Sequence, residues 1–167
     1  MNRKEYNICV DNYSDAVYRF VLKSIGDQDD AADIVQEAFV RMWEKSENIS
    51  FEKSKSYLFS TAYHIMIDFI RKQKRINYNI DFADEFASNS FSTNESYSNF
   101  DLKSILNEAL NKLPLIQKSV ILLRDYEGYS YEEIGDITEL SESQVKVYIY
   151  RGRIALKNYI KSLDLVL

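Results

Sequence analysis

The sequence predicts an all-α protein made of two small helical domains joined by a flexible acidic linker. Three observations lead there. One proline and four glycines in 167 residues are too few for a turn-rich β fold. Apolar residues recur at helical spacing in two separate blocks, before residue 76 and after residue 101. Between the blocks that spacing lapses, in a stretch rich in Asn and Ser. Residues 76–101 hold five acids (Asp81, Asp84, Glu85, Glu95, Asp101) and no Lys or Arg. Such a stretch reads as a tether, extended when free, whose scattered Phe and Tyr give it something to dock with.

The elements follow in order. A first helix is expected over SDAVYRFVLKSI, residues 14–25, with Val17, Phe20 and Val21 inward. A stronger one starts at the N-cap Asp27, with acids in its first turn where the helix dipole favours them. Its buried stripe is Ala31, Ile34, Val35, Ala38, Phe39 and Met42. The polar loop ENISFEKSKS leads into a long helix from Ser54 or Lys55, KSYLFSTAYHIMIDFIRKQKR. Leu58, Ala62, Ile65, Met66 and Phe69 line one side of it. Thr61, His64, Asp68, Arg71, Lys72 and Arg75 line the other, ending in a basic cluster.

After the tether, Leu102, Ile105, Leu106, Ala109, Leu110 and Leu113 resume the helical period. Pro114 fits the first turn of the next helix, where its missing N–H costs nothing, and Gly128 fits a C-cap. Ser130 followed by Glu133 is a capping box, and Ser141 followed by Gln144 is a weaker one. Two short helices this close form a helix-turn-helix candidate, with the small Gly135 at their crossing. Ile134, Leu140, Val145 and Tyr148 or Ile149 would pack the pair on its neighbours.

The net charge is −5, yet residues 141–161 carry five bases (Lys146, Arg151, Arg153, Lys157, Lys161) against the one acid Glu142. A helix offering Glu142, Ser143, Lys146, Val147 and Tyr150 outward, with bases beyond, can enter a major groove and grip phosphates. The same pattern also fits a solvated helix face, with Glu142 and Gln144 serving only dipole and cap. Other classes recede. The chain has one cysteine, Cys9, and one histidine, His64, so it can form neither an internal disulfide nor a histidine-rich metal site. No metal and no cofactor is expected. There is no glycine-rich phosphate loop and no nucleophile motif, so an enzyme and a small-molecule substrate are not expected either. No apolar run is long enough to span a membrane, and MNRKEYNICVDNY lacks a signal peptide's apolar core, so the expected location is cytoplasmic.

Three segments in this order carry a resemblance: DIVQEAFVRMWE, YLFSTAYHIMIDFIRKQKR, and LNKLPLIQKSVILLRDYEGYSYEEIGDITELSESQVKVYIYRGRIALKNYI. Together they resemble the sigma-70 family of bacterial transcription initiation factors, in the small extracytoplasmic-function (ECF) group. The resemblance implies sigma domain 2 over residues 1–76, the acidic linker over 77–101, and sigma domain 4 over 102–167. It implies a promoter-specificity subunit for core RNA polymerase, and promoter DNA as a partner. Contacts to the largest-subunit clamp helices and to the flap region are implied, as is an anti-sigma factor.

Roles are implied residue by residue. Asp33, Gln36, Glu37, Phe39, Val40, Trp43 and Glu44 match the segment that binds the clamp helices. Tyr57, Tyr63 and His64 match the segment that stacks on melted −10 bases, with Arg71, Lys72, Lys74 and Arg75 holding the backbone. The loop ENISFEKSKS resembles the one that pockets a flipped base. Ser141, Glu142, Ser143, Lys146, Val147, Tyr150, Arg151 and Arg153 match the helix that reads the −35 element.

The chain departs from the family pattern at four places. Tyr63-His64 stands where Arg-Asn is frequent, and Glu139 stands where the turn usually has glycine. Tyr148 replaces a frequent Arg, and Val147 a polar residue, so phosphate grip is expected from Lys146, Arg151 and Arg153. The runner-up reading is a stand-alone helix-turn-helix regulator, which would need its own dimer or effector domain. The net acidity fits a subunit that binds DNA weakly until polymerase joins it.

Overall fold

The computed structural model describes residues 1–81 and 102–164, and every regular element among them is helical. Helices α1 (Arg3–Ile25), α2 (Gln28–Glu44) and α3 (Ser54–Asp81) form a first bundle, with two 3₁₀ turns between α2 and α3. Helices α4 (Leu102–Asn111), α5 (Leu115–Ile121), α6 (Tyr131–Thr138) and α7 (Glu142–Asp164) form a second.

Local chemistry sets most of the boundaries. α1 begins well before residue 14, because Asn2 and Glu5 make a capping box. The Glu5 N–H donates to Asn2 Oδ1 at 2.9 Å, and the Asn2 N–H donates to Glu5 Oε2 at 2.8 Å. Asp27 caps α2 as expected, its carboxylate accepting from the Asp30 N–H. Both boxes of the C-terminal helix pair form: Ser130 with Glu133, and Ser141 with Gln144. Pro114 stands one position earlier than expected. It is the N-cap of α5, and its carbonyl accepts from the Lys118 N–H at 3.0 Å. After α5 the hydrogen bonding widens to a π-helical turn over Leu122–Tyr126, where the Glu127 N–H reaches the Leu122 carbonyl at 3.1 Å. Gly128, at φ 73°, then turns the chain as its expected cap role requires.

Helical order does not stop at residue 76. α3 continues to Asp81, since nothing in residues 54–81 is a proline or glycine. The rest of the expected tether, with Asp84, Glu85, Glu95 and Asp101, lies outside the described residues.

The first bundle buries Cys9, Val17, Phe20 and Val21 of α1 against Ala31, Ile34, Val35, Ala38 and Met42 of α2 and Leu58, Ala62, Ile65 and Met66 of α3. The second buries Leu110, Leu113, Val120, Ile121, Ile134, Ile137, Val145 and Ile149. Each large side chain taken from water contributes roughly 1.5–3 kcal/mol. The two cores are continuous. α3 lies along α6, and Phe59 and Tyr63 on its second face are buried there together with Tyr129.

Candidate nucleic-acid and polymerase interface

Three surfaces carry the residues singled out by the sequence. The first is the loop before α3 and the outer side of that helix. Tyr57 is half-buried and lines a recess of about 410 Å³ with Lys45, Asn48, Ile49, Ser50 and Lys53. Its two lysines and one aromatic ring can meet a phosphate and a flat base. Arg71, Lys72, Lys74 and Arg75 are all exposed along the later turns of α3, in line with a backbone contact.

Tyr63 and His64 are placed otherwise. Tyr63 is only 7% exposed, so in this arrangement its ring cannot stack on a base. It meets the His64 ring edge-on at 5.5 Å, and burial pushes its phenol pKa up. The periodicity of α3 shows one apolar stripe, whereas the burial of Tyr63 comes from the second bundle. His64 Nδ1 lies 2.7 Å from the Ser60 carbonyl, to which it donates. Nε2 lies 3.4 Å from Glu139 Oε1 in the helix-turn-helix.

The second surface is α2. Asp33, Gln36, Glu37, Val40, Trp43 and Glu44 are exposed, Val40 at 50% and Trp43 at 46%. Phe39 is not on this surface: it is core, because the helix stripe that buries Ala38 and Met42 takes it inward. It acts from beneath. Tyr6 donates its hydroxyl to the Phe39 carbonyl at 2.9 Å and holds the Trp43 ring 4.9 Å away. Sequence reasoning missed Tyr6 and Arg3, which line a groove with Asn7, Val40 and Trp43; the signal was the Asn2–Glu5 capping box that starts α1. A second recess joins Asp30, Asp33, Glu37 and Asp68 to Arg41 and Lys72. This face is acid around an exposed indole, a chemistry that fits a basic helical partner.

The third surface is α7. Ser141, Glu142, Ser143, Lys146, Val147, Tyr150, Arg151 and Arg153 are all exposed. The helix stands on buried Val145 and Ile149 and crosses α6 at Gly135, where a Cβ would meet the Leu140 carbonyl oxygen at 2.7 Å. Glu139, in the turn, takes the left-handed conformation at φ 59° that glycine usually supplies. Lys146 pairs with Glu142 at 3.2 Å, one helical turn away. Arg153 is held by the Asp125 carboxylate, which raises its pKa and directs its guanidinium toward the π turn. Arg151 carries no such tether. Among the described residues no group of His, Cys, Asp and Glu is arranged to hold a metal ion.

Residues 9–76 match the model of sigma-70 region 2, and residues 103–156 match that of sigma-70 region 4. The chain belongs to the sigma-70 family. Among its relatives is the RNA polymerase sigma factor SigV of Bacillus subtilis (strain 168). It is 33% identical over 158 residues, covering 94% of this chain and 92% of the relative. The ECF RNA polymerase sigma factor SigW of the same organism is 27% identical over 164 residues, covering 92% and 88%. The similarity to relatives named as ECF factors places this sigma factor in that group. A solved structure of the sigma factor RpoE, in complex with the anti-sigma factor NepR from Bartonella quintana, shares the fold. Its TM-score is 0.77 at 24% identity, covering 95% of this chain and 98% of that one. Among the described residues, no helix of this sigma factor is long and apolar enough to cross a membrane.

Proposed function

We propose that this sigma factor binds bacterial core RNA polymerase and directs it to promoters, with residues 1–76 serving the −10 element and the clamp helices and residues 102–167 serving the −35 element. The observation that carries the reading is the capped helix α7, which exposes all eight residues expected to face DNA on a buried apolar footing. Arg151, Lys146 and Arg153 supply phosphate contacts, while Ser141, Glu142, Ser143, Val147 and Tyr150 meet base edges. On α2, Trp43 and Val40 anchor the polymerase and Asp33, Glu37 and Glu44 complement its basic surface. Residues 71, 72, 74 and 75 hold the non-template backbone, and Tyr57 with its recess takes a melted base.

No catalytic step falls to this chain; RNA synthesis belongs to the core enzyme. The chain acts in the cytoplasm, where polymerase is. An anti-sigma factor is its negative partner, as in the complex of RpoE with NepR. Residues 77–101 link the two DNA-reading domains.

Gel filtration with core polymerase, followed by run-off transcription on genomic promoter fragments, tests the reading. Co-elution and discrete new transcripts are expected. Failure to bind core, together with DNA binding by the chain alone, overturns it in favour of a stand-alone regulator.

A further inference from the structure

The contact between the two bundles is built from both sides. Tyr129, 2% exposed, presses its ring edge-on against Phe59 at 5.1 Å between centroids, and the Lys55 ammonium lies 4.3 Å from the same Tyr129 ring. On one flank the Arg19 guanidinium donates two hydrogen bonds, at 2.9 and 2.8 Å, to the Glu127 carboxylate, whose side chain is only 6% exposed. Beside it the Lys23 ammonium stands 3.6 Å over the Tyr126 ring. On the other flank His64 meets Glu139 at 3.4 Å.

That last pair joins two of the places where this chain departs from its family's pattern: His64 in the −10 segment and Glu139 in the turn. Glu139 holds a left-handed backbone that a Cβ disfavours, and its carboxylate lies over the −10 segment. With Nδ1 donating to Ser60, the ring can also donate from Nε2 only when it carries both protons. The Arg19–Glu127 pair has no such condition. The contact also differs from a permanent core. The Tyr129 hydroxyl is buried with no hydrogen-bond partner among the described residues, a defect that separating the domains would relieve.

We propose that the free chain latches itself shut, the −35 domain docking by Tyr129, Glu127 and Glu139 onto the −10 face at Phe59, Arg19 and His64, so that Tyr63 and His64 are covered until the domains part on polymerase. The covering of a DNA-reading face rests on the function proposed above; the docking itself does not. The docked state accounts for the burial of Tyr63 on a helix whose periodicity leaves that side outward. It also supplies a shielding of the −10 face that net acidity alone does not.

Fluorescence transfer in the full chain tests this, with dyes on cysteines placed at the exposed positions Lys4 and Lys157 while the native Cys9 stays buried. The free chain should show strong transfer, R19E should lose it, and R19E/E127R should regain it. Equal transfer in the parent and in R19E, or no recovery in the double variant, overturns the latch. Adding core polymerase and a promoter fragment should abolish transfer in the parent, and transfer retained in a transcribing complex overturns the requirement for opening. If core fails to bind at all, the sigma reading falls, while the three free chains still decide the docking.

Discussion

The Tyr129 ring stands edge-on to Phe59, 5.1 Å between centroids and 68° between planes, and joins the cores of two domains that would otherwise each close on themselves. Its ring is bound on all sides, but its hydroxyl is not. Removing the oxygen should therefore cost little: Y129F is expected to match the parent or exceed it by up to about 1 kcal/mol. Removing the ring leaves a cavity, and Y129A should lose roughly 3–5 kcal/mol. Denaturant unfolding measures both. A marked loss in Y129F would show that the hydroxyl has a partner after all.

The same residue sets an alkaline limit. Burial, with the carboxylates of Glu127 and Glu133 adding to it, holds the Tyr129 phenol far above its ordinary pKa. A folded-state pKa above the unfolded one gives stability that is complete below about pH 10 and is lost as pH rises toward the folded value, at up to ~1.4 kcal/mol per pH unit. Unfolding free energy should thus fall above about pH 10, and fall less steeply in Y129F. Parallel slopes for the two proteins would refute this assignment. Tyr63, Tyr126 and Tyr6, raised in the same direction by burial, keep a residual slope in both.

Gly135 is fixed by a close approach. A methyl group there would sit 2.7 Å from the Leu140 carbonyl oxygen, which is backbone and cannot rotate away. G135A should destabilise the helix-turn-helix by about 1–3 kcal/mol. Transcription from promoters that depend on the −35 element should drop while core binding persists. Unchanged −35 dependence would mean that α6 and α7 can part without losing the reading helix.

Exposed apolar residues separate binding from folding. V40A removes a half-exposed side chain, so its stability should stay within about 0.5 kcal/mol of the parent while affinity for core falls. W43A should cost more affinity, about 2 kcal/mol or above, because a large aromatic anchor is lost. Calorimetric melts beside competition binding to core would tell these apart. Parent-like core affinity in both variants would remove α2 from the polymerase interface.

Phosphate contacts have a different signature. Neutralising Arg151 or Lys146 should weaken promoter binding by the holoenzyme at all sequences and lower the salt slope by about one each. Removing Val147 or Tyr150 should change sequence preference and leave that slope alone. A salt slope unmoved by R151A would place that residue off the backbone.

Much of this was legible from the chain. The stripes of α2 and of the second bundle, the N-cap Asp27 and the Ser130 and Ser141 boxes all follow from spacings of three and four residues, and all formed. The start of α1 was missed because its first turns are polar and tyrosine-rich, though Asn2 and Glu5 stood at box spacing. The burial of Phe59, Tyr63 and Tyr129 was not legible, because a helical period reports one packed face and α3 has two. The second face is buried by residues more than sixty positions away, such as Tyr129 against Phe59, a pairing no local pattern encodes. Phe39 was in the inward stripe of α2 and also among the residues assigned to the polymerase; the structure keeps the first role.

The wide turn at Leu122–Tyr126 has a consequence for phase. An α-helix rotates about 100° per residue, so one additional residue accommodated in a π turn re-aims everything that follows it by that angle. Asp125, Tyr126, Glu127 and Tyr129 lie in this turn or just beyond it, and they are the groups that reach Arg153, Lys23, Arg19 and Phe59. Deleting a single residue from 122–126 would restore a regular helix and turn the whole set away from its partners. The mutual bearing of the two domains is thus a matter of counting: a single residue's worth of rotation decides which way the second domain faces.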